Sequence, residues 1–262
     1  MKKFFYAFIA VVLFLSSCTP SPDRVIMYKT NDNKPIAFGE DKFGNAKLVS
    51  NEYSEEEKCF VAVFDKAINA IGNSAFSYCS SLTSITIPNS VKEIGYQAFE
   101  YCTALKHLCI EDGDNPLSLG YDEFNKEDRG KSLFYDCPLE SIYLGRNIVC
   151  KNDYNYGFSP FCEKERLRTV TIGNSVNRID YMAFAHCRNL ISLTIQNGVK
   201  EIGNQAFKNC PALTSIEIPN SVTSIEREAF SWCVSLTNIR IPKSAKVDET
   251  AFEGCDNLKI NY

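Results

Sequence analysis

Ile87-Pro88-Asn89-Ser90-Val91-Lys92-Glu93-Ile94-Gly95-Tyr96-Gln97-Ala98-Phe99-Glu100-Tyr101-Cys102-Thr103-Ala104-Leu105 returns at Ile218-Pro219-Asn220-Ser221-Val222-Thr223-Ser224-Ile225-Glu226-Arg227-Glu228-Ala229-Phe230-Ser231-Trp232-Cys233-Val234-Ser235-Leu236 with the same spacing. Working outward, Ala-Phe recurs at Phe76, Phe99, Phe184, Phe207, Phe230 and Phe252, and Leu133-Phe134 and Pro160-Phe161 fill the same slot imperfectly. The Phe-to-Phe steps are 23, 35, 27, 23, 23, 23 and 22 residues, which makes eight units with two lengthened steps. One such unit has too few apolar side chains to bury a core alone. Stacking places each Leu, Ile, Phe and Cys on its counterpart and makes the core continuous.

Within a unit, Leu-x-x-Ile-x-Ile ends in period-two alternation, as in Ile85-Thr86-Ile87, and predicts one half-buried strand per unit in a parallel sheet. Pro88, Pro219 and Pro242 stop that strand because proline cannot donate to the ladder. Asn-Ser turns the chain, and Val with Ile three residues on predicts a second short extended piece. Gly72, Gly95 and Gly203 are expected at tight turns with positive φ. Ala-Phe-x-x-Cys reads as one helical or 3₁₀ turn, since Phe and Cys three apart share a face. Eight units at about 4.8 Å each give a stack roughly 40 Å long. Residues 25–28, 47–49 and 60–64 read as short strands that cover the open end of the first unit.

This unit resembles the 23-residue leucine-rich repeat of the BspA-like family, found in surface proteins and lipoproteins. The likeness covers residues 67–262, and residues 24–66 resemble the family's N-terminal β segment. It implies an α+β repeat solenoid: a leucine-rich-repeat-like, right-handed stack with one parallel-sheet strand per unit and a small N-terminal β cap. It also implies adhesion, protein binding or host interaction, and not an enzyme. Three features depart from the pattern: insertions at 111–132 and 149–160, Lys164 in the cysteine slot of the fourth unit, and a final unit one residue short, with Ala245 in place of Val.

Residues 1–17 read as an export signal, with Lys2 and Lys3 before the apolar run 4–15, which is too short to span a bilayer comfortably. Leu15-Ser16-Ser17-Cys18 resembles a bacterial lipobox, so Cys18 is the expected lipidation site and residues 18–23 a tether. The expected address is the outer membrane, held through the N-terminal lipid only, at the cell surface or the periplasmic face. A formal charge of −4, falling to −6 when Lys2 and Lys3 leave with the signal, argues against a nucleic-acid partner.

Chemistry has few candidates. Of 12 cysteines, Cys79, Cys102, Cys137, Cys187, Cys210, Cys233 and Cys255 recur in the repeat slot and read as a structural ladder of buried thiols. Their Cβ vectors would run parallel, which disfavours disulfides, and no Cys-x₂₋₄-Cys pair points to a metal. Cys59, Cys109, Cys150 and Cys162 lie off the ladder, and a pair among them has no assignment from spacing. His186 and His107 read as surface residues, and no hydrolase, P-loop or zinc-protease motif occurs. The run Glu111-Asp112-Gly113-Asp114-Asn115 lacks the ligand spacing of a calcium loop. No catalytic residue, cofactor or metal is therefore expected.

Binding is left. Outward strand positions form the column Thr86, Cys109, Tyr143, Thr171, Thr194, Glu217, Arg240, beside Ser84, His107, Ser141, Thr169, Ser192, Ser215, Asn238. The insertions add Tyr121, Phe124, Tyr154, Tyr156 and Phe158. A protein ligand is the first expectation. A glycan held on the insertion tyrosines, or a structural module with no ligand of its own, are the alternatives.

Overall fold

A computed structural model describes residues 21–120, 131–150 and 160–261. The chain opens with β1 (Val25–Thr30), β2 (Leu48–Ser54) and β3 (Cys59–Phe64). Short and long strands then alternate: β4 (Ala70–Ile71), β5 (Leu82–Ile87), β6 (Glu93–Ile94), β7 (His107–Ile110), β8 (Leu117–Leu119), β9 (Ser141–Arg146), β10 (Ile148–Cys150) and β11 (Thr169–Ser175). The alternation continues through β12 (Arg178–Ile179), β13 (Ser192–Ile195), β14 (Glu201–Ile202), β15 (Ser215–Glu217), β16 (Ser224–Ile225), β17 (Asn238–Arg240), β18 (Lys246–Val247) and β19 (Lys259–Asn261). The fold is strands in parallel sheets with almost no helix, only the 3₁₀ turns Pro22–Arg24 and Lys131–Phe134 among the described residues.

The long strands stack in parallel, β5 on β7, β9, β11 and β13, and then β15 on β17 and β19. The short strands form two further ladders, β4-β6-β8-β10 and β12-β14-β16-β18. Between those ladders the Asn147 side chain substitutes for strand pairing, its Oδ1 accepting from the N–H of Asn177 at 3.0 Å. At the first end β1 runs antiparallel to both β5 and β3, and β2 pairs with β3, so three antiparallel strands in the order β1-β3-β2 extend the sheet. Residues 117–119, which the sequence places inside an insertion, are the short strand of their unit, with Leu117 and Leu119 buried as Val91 and Ile94 are.

One hydrophobic core runs the length of the stack. Its axis is a file of phenylalanines, 76, 99, 134, 161, 184, 207, 230 and 252, with neighbouring ring centroids 5.0–5.6 Å apart. The rings lie within 6–11° of parallel except Phe134 against Phe161, at 31°, across the 27-residue step. Phe38 and Phe43 meet Phe76 edge-on at 5.6 and 5.9 Å and close that end of the file.

Ala-Phe-x-x-Cys folds as consecutive i→i+3 turns, with Cys79 N–H donating to Phe76 O at 3.0 Å and Ala75 N–H to Gly72 O at 3.2 Å. Positive φ sits two residues before and two after the phenylalanine, at Ser74 (55°) and Tyr78 (61°), and again at Gln205 (57°) and Asn209 (57°). This alternation turns three N–H groups per unit toward the next one: Ser74 to Tyr96 O, Phe76 to Ala98 O and Tyr78 to Glu100 O, at 2.7–2.9 Å. Those bonds offset a left-handed cost of about 1–2 kcal/mol per residue. The expected positive φ at Gly72, Gly95 and Gly203 is corrected, because only Gly44 and Gly254 lie in that region among the described glycines. Glycine is needed at Gly95 and Gly203 for close approach between coils. A Cβ on Gly95 would lie 2.5 Å from Asn73 N, and one on Gly203 2.5 Å from Ile179 O.

Candidate functional site

Period two on the long strands turns Ser84, His107, Ser141, Thr169 and Ser192 to one face, in register, with Thr86, Cys109, Tyr143, Thr171 and Thr194 beside them. An open hollow of about 270 Å³ runs across β5, β7, β9 and β11 between these two columns. His107 Nδ1 and Ser141 Oγ share a hydrogen bond of 2.8 Å at its floor. Tyr143, half-buried, donates its hydroxyl to Asp112 Oδ2 at 2.8 Å, and Gly173 leaves room for that pair, since a Cβ there would lie 2.9 Å from the hydroxyl. Burial and then the Asp112 carboxylate push the Tyr143 phenol above its ordinary range, so the hydroxyl stays protonated. Tyr143 is thus a pinned ring with one exposed flank, a rigid anchor.

Arg146 is what holds this corner together. Fully buried at the end of β9, it donates through Nη1 to Asn89 O at 2.7 Å and through Nη2 to Pro88 O at 2.9 Å. Glu111 accepts from Asn89 N–H at 3.0 Å; burial raises its carboxyl, and Asn89 and then the nearby Arg146 guanidinium pull it back. Together these fix the 111–116 segment that carries Asp112.

Over the second half of the face, Ser215, Asn238 and Lys259 stand in register beside Glu217, Arg240 and Asn261. Arg240 Nη1 lies 3.4 Å from Glu217 Oε1, an exposed ion pair worth about 0–1 kcal/mol. A hollow of about 410 Å³ spans β13, β15, β17 and β19 there. Thr194, Glu217 and Arg240 are exposed, and Thr171 is half-buried.

The ladder thiols face inward. From the second unit on, each donates to the phenylalanine carbonyl of the preceding unit: Cys102 to Phe76 at 3.0 Å, Cys137 to Phe99 at 2.9 Å, Cys187 to Phe161 at 3.2 Å, Cys210 to Phe184 at 3.3 Å, and Cys233 and Cys255 to Phe207 and Phe230 at 3.2 Å. In the unit without a ladder cysteine, Lys164 Nζ makes the same contact with Phe134 O at 2.7 Å. Burial pushes the Cys187 thiol up to about 12 and Cys255 to about 11, so these groups are neutral hydrogen-bond donors, not nucleophiles. Cys79, half-buried in the first unit, is raised by burial as well. Off the ladder, Cys59 and Cys109 are raised to about 11, by burial first.

Cys18, Tyr121, Phe124, Tyr154, Tyr156 and Phe158 lie outside the described residues. No group of three or more His, Cys, Asp and Glu able to hold a metal occurs among the described ones. His186 sits two residues after its phenylalanine, with Nδ1 3.0 Å from Asn209 Nδ2, turned away from the buried Cys187. Two features escape a reading of the sequence alone. One is Arg146, which occupies the Asn slot of Ile-Pro-Asn. The other is the row two residues past each phenylalanine, where Tyr78 and Trp232 are exposed. The repeat register alone would have found that row.

The BspA type leucine-rich repeat region matches residues 47–148 and 127–259, in six copies. Among solved structures, a leucine-rich repeat protein from Bacteroides ovatus is 20% identical, with 81% of this chain and 84% of that one covered and a TM-score of 0.39. A leucine-rich repeat protein of T. pallidum is 24% identical over 74% of this chain and 73% of its own, with a TM-score of 0.45. A leucine-rich cell surface protein from Faecalibacterium prausnitzii is 18% identical over 88% and 96%, with a TM-score of 0.37. Among curated proteins none matches significantly. The family match extends over most of the chain and coincides with the repeat ladders, and the chain belongs to the BspA-type leucine-rich repeat family.

Proposed function

We propose that this chain is a non-enzymatic envelope lipoprotein that binds a protein partner across the outward face of its long strands. The observation that carries the reading is the paired in-register columns, mostly polar, that run from Ser84 and Thr86 to Ser192 and Thr194 and again from Ser215 and Glu217 to Lys259 and Asn261. The backbone beneath them is locked by strand pairing, so little ordering entropy is lost when a partner docks. Tyr143 supplies a rigid ring, and Glu217 and Arg240 supply charge at the other end. No helix among the described residues is long and apolar enough to cross a membrane, and the proposed anchor is acyl chains on Cys18.

A photo-crosslinking side chain placed at Thr194 in the native cell tests the binding face. The expected result is a discrete cross-linked protein that is lost when Tyr143→Ala and Arg240→Ala are combined, with no product from the same group placed at Lys246 on the other ladder. Equal cross-linking from both positions, or a product indifferent to the two substitutions, would refute the strand face. Cys18→Ala is expected to move the protein from the membrane to the soluble fraction and abolish incorporation of labelled palmitate. Protease treatment of intact cells then reports which side of the membrane it faces.

A further inference from the structure

The row two residues past each phenylalanine is distinct from the strand face, and in the first two units it is aromatic. Tyr78 and Tyr101 stack at 4.8 Å with 23° between planes, and Tyr135, one residue past Phe134, meets Tyr101 edge-on at 5.3 Å. Tyr78 is 70% and Tyr135 51% exposed. The three rings therefore form a contiguous strip that the fold holds in place and does not bury. An isolated surface tyrosine would need no explanation, but three touching rings on one edge form a patch.

The balance of charge around this strip is negative. Glu100 and Asp136 are chain neighbours of Tyr101 and Tyr135. Partial desolvation, then Tyr135, Tyr78, Glu100 and Asp136, holds the Tyr101 phenol above its ordinary range, which places these groups within electrostatic reach of one another. Beside Tyr135 lies a hollow of about 400 Å³, lined also by Asp136, Glu163, Glu165 and Arg166. Lys164 borders it, but its ammonium is directed to Phe134 O. Electron-rich ring faces rimmed by carboxylates attract cations, and guanidinium most of all, because it stacks flat on a ring while its N–H groups reach the acids.

We propose that the Tyr78–Tyr101–Tyr135 strip, with Asp136, is a docking surface for an arginine- or lysine-bearing peptide segment of a partner protein. Neutral sugars also stack on tyrosines, but they gain nothing from the carboxylate rim, so the charge favours the cationic peptide.

The test is fluorescence anisotropy of the full chain with a labelled peptide alternating arginine and serine. A glutamate-serine peptide and a panel of neutral oligosaccharides run beside it. Tyr78→Asn places at that left-handed position the residue type that Asn209 shows the slot accepts. Combined with Tyr135→Ala, it is expected to weaken the arginine peptide by about tenfold without changing net charge. Asp136→Asn is expected to weaken it separately and to flatten its salt dependence. Thermal unfolding of each variant, unchanged from the parent, shows that the loss is local. Arginine-peptide binding that is indifferent to the tyrosines, or no stronger than that of the glutamate peptide, overturns the proposal. So does tyrosine-dependent binding of an oligosaccharide in place of the peptide. Tyr143→Ala with Arg240→Ala should leave peptide binding intact, so failure here and failure of the strand face are read separately.

Discussion

At Lys164 the repeat replaces a thiol with an ammonium and keeps the hydrogen bond to the preceding phenylalanine carbonyl. The slot therefore selects for a donor that reaches back one unit, and cysteine meets that need with an otherwise apolar side chain. Phe184 O accepts from the Cys210 thiol at 3.3 Å, and because S–H is a weak donor the thiol's share is modest. Cys210→Ser should change unfolding free energy by under about 1 kcal/mol, since the hydroxyl still donates. Cys210→Ala should cost about 1–2 kcal/mol through the lost donor and a small void. Lys164→Met should cost about 1 kcal/mol and Lys164→Cys less, as read from urea midpoints. A larger loss for serine than for alanine would show that the slot rejects polarity and that donation is incidental.

The elements are short, some long strands spanning only three residues and most short ones two, so neither is stable by itself. Each holds its place through the coil on either side, and glycines set how closely coils approach. At Gly95 an added methyl would sit 2.4 Å from Asn73 Oδ1 and 2.5 Å from Asn73 N, against backbone that cannot yield. Gly95→Ala is expected to cost about 1–3 kcal/mol. Gly39→Ala, whose Cβ would meet only the flexible Lys42 side chain at 3.3 Å, should stay within about 0.5 kcal/mol. Equal losses at both positions in chemical denaturation would mean that lost backbone freedom, and not coil contact, governs these glycines.

Across the whole molecule stability is close to a nearest-neighbour property, because each unit packs mainly on the units before and after it, with Arg146 and Arg178 reaching two units away. Phe184 packs between Phe161 and Phe207 at 5.6 and 5.5 Å, whereas among the described residues Phe252 has a ring neighbour on one side only, and it is half-buried. Phe184→Ala should cost about 3–5 kcal/mol and uncouple the two halves of the stack, broadening the unfolding transition. Phe252→Ala should cost clearly less. Alkali should act through thiols both on and off the ladder. Buried thiols have native pKa values raised to about 11 or 12 at Cys59, Cys109, Cys187 and Cys255, above their ordinary value near 9. The unfolded chain therefore releases these protons first. The stability they contribute is complete below about pH 9 and is lost as pH rises through 11–12. Melting temperature measured from pH 7 to 12 should fall above about 9, and less steeply in Cys187→Ala. A flat profile would mean that the thiols are not desolvated.

Periodicity alone determined the fold, because a 23-residue period with Leu, Ile, Phe and Cys in constant slots has one way to bury those residues, and that is to stack them. It also determined which strand positions face outward, through period two. Three things were decided only in the tertiary structure. The left-handed residues flanking each phenylalanine carry Ser, Gln, Tyr, Asn and Trp, with little glycine to announce them, because bonds to the next coil, not local preference, impose that conformation. The short strand within the longest repeat was hidden by the added residues around it, since Leu117 and Leu119 acquire their role only when β6 and β10 lie on either side. The acidic tyrosine strip arises because stacking brings into contact rings that lie 23 and 34 residues apart in the chain.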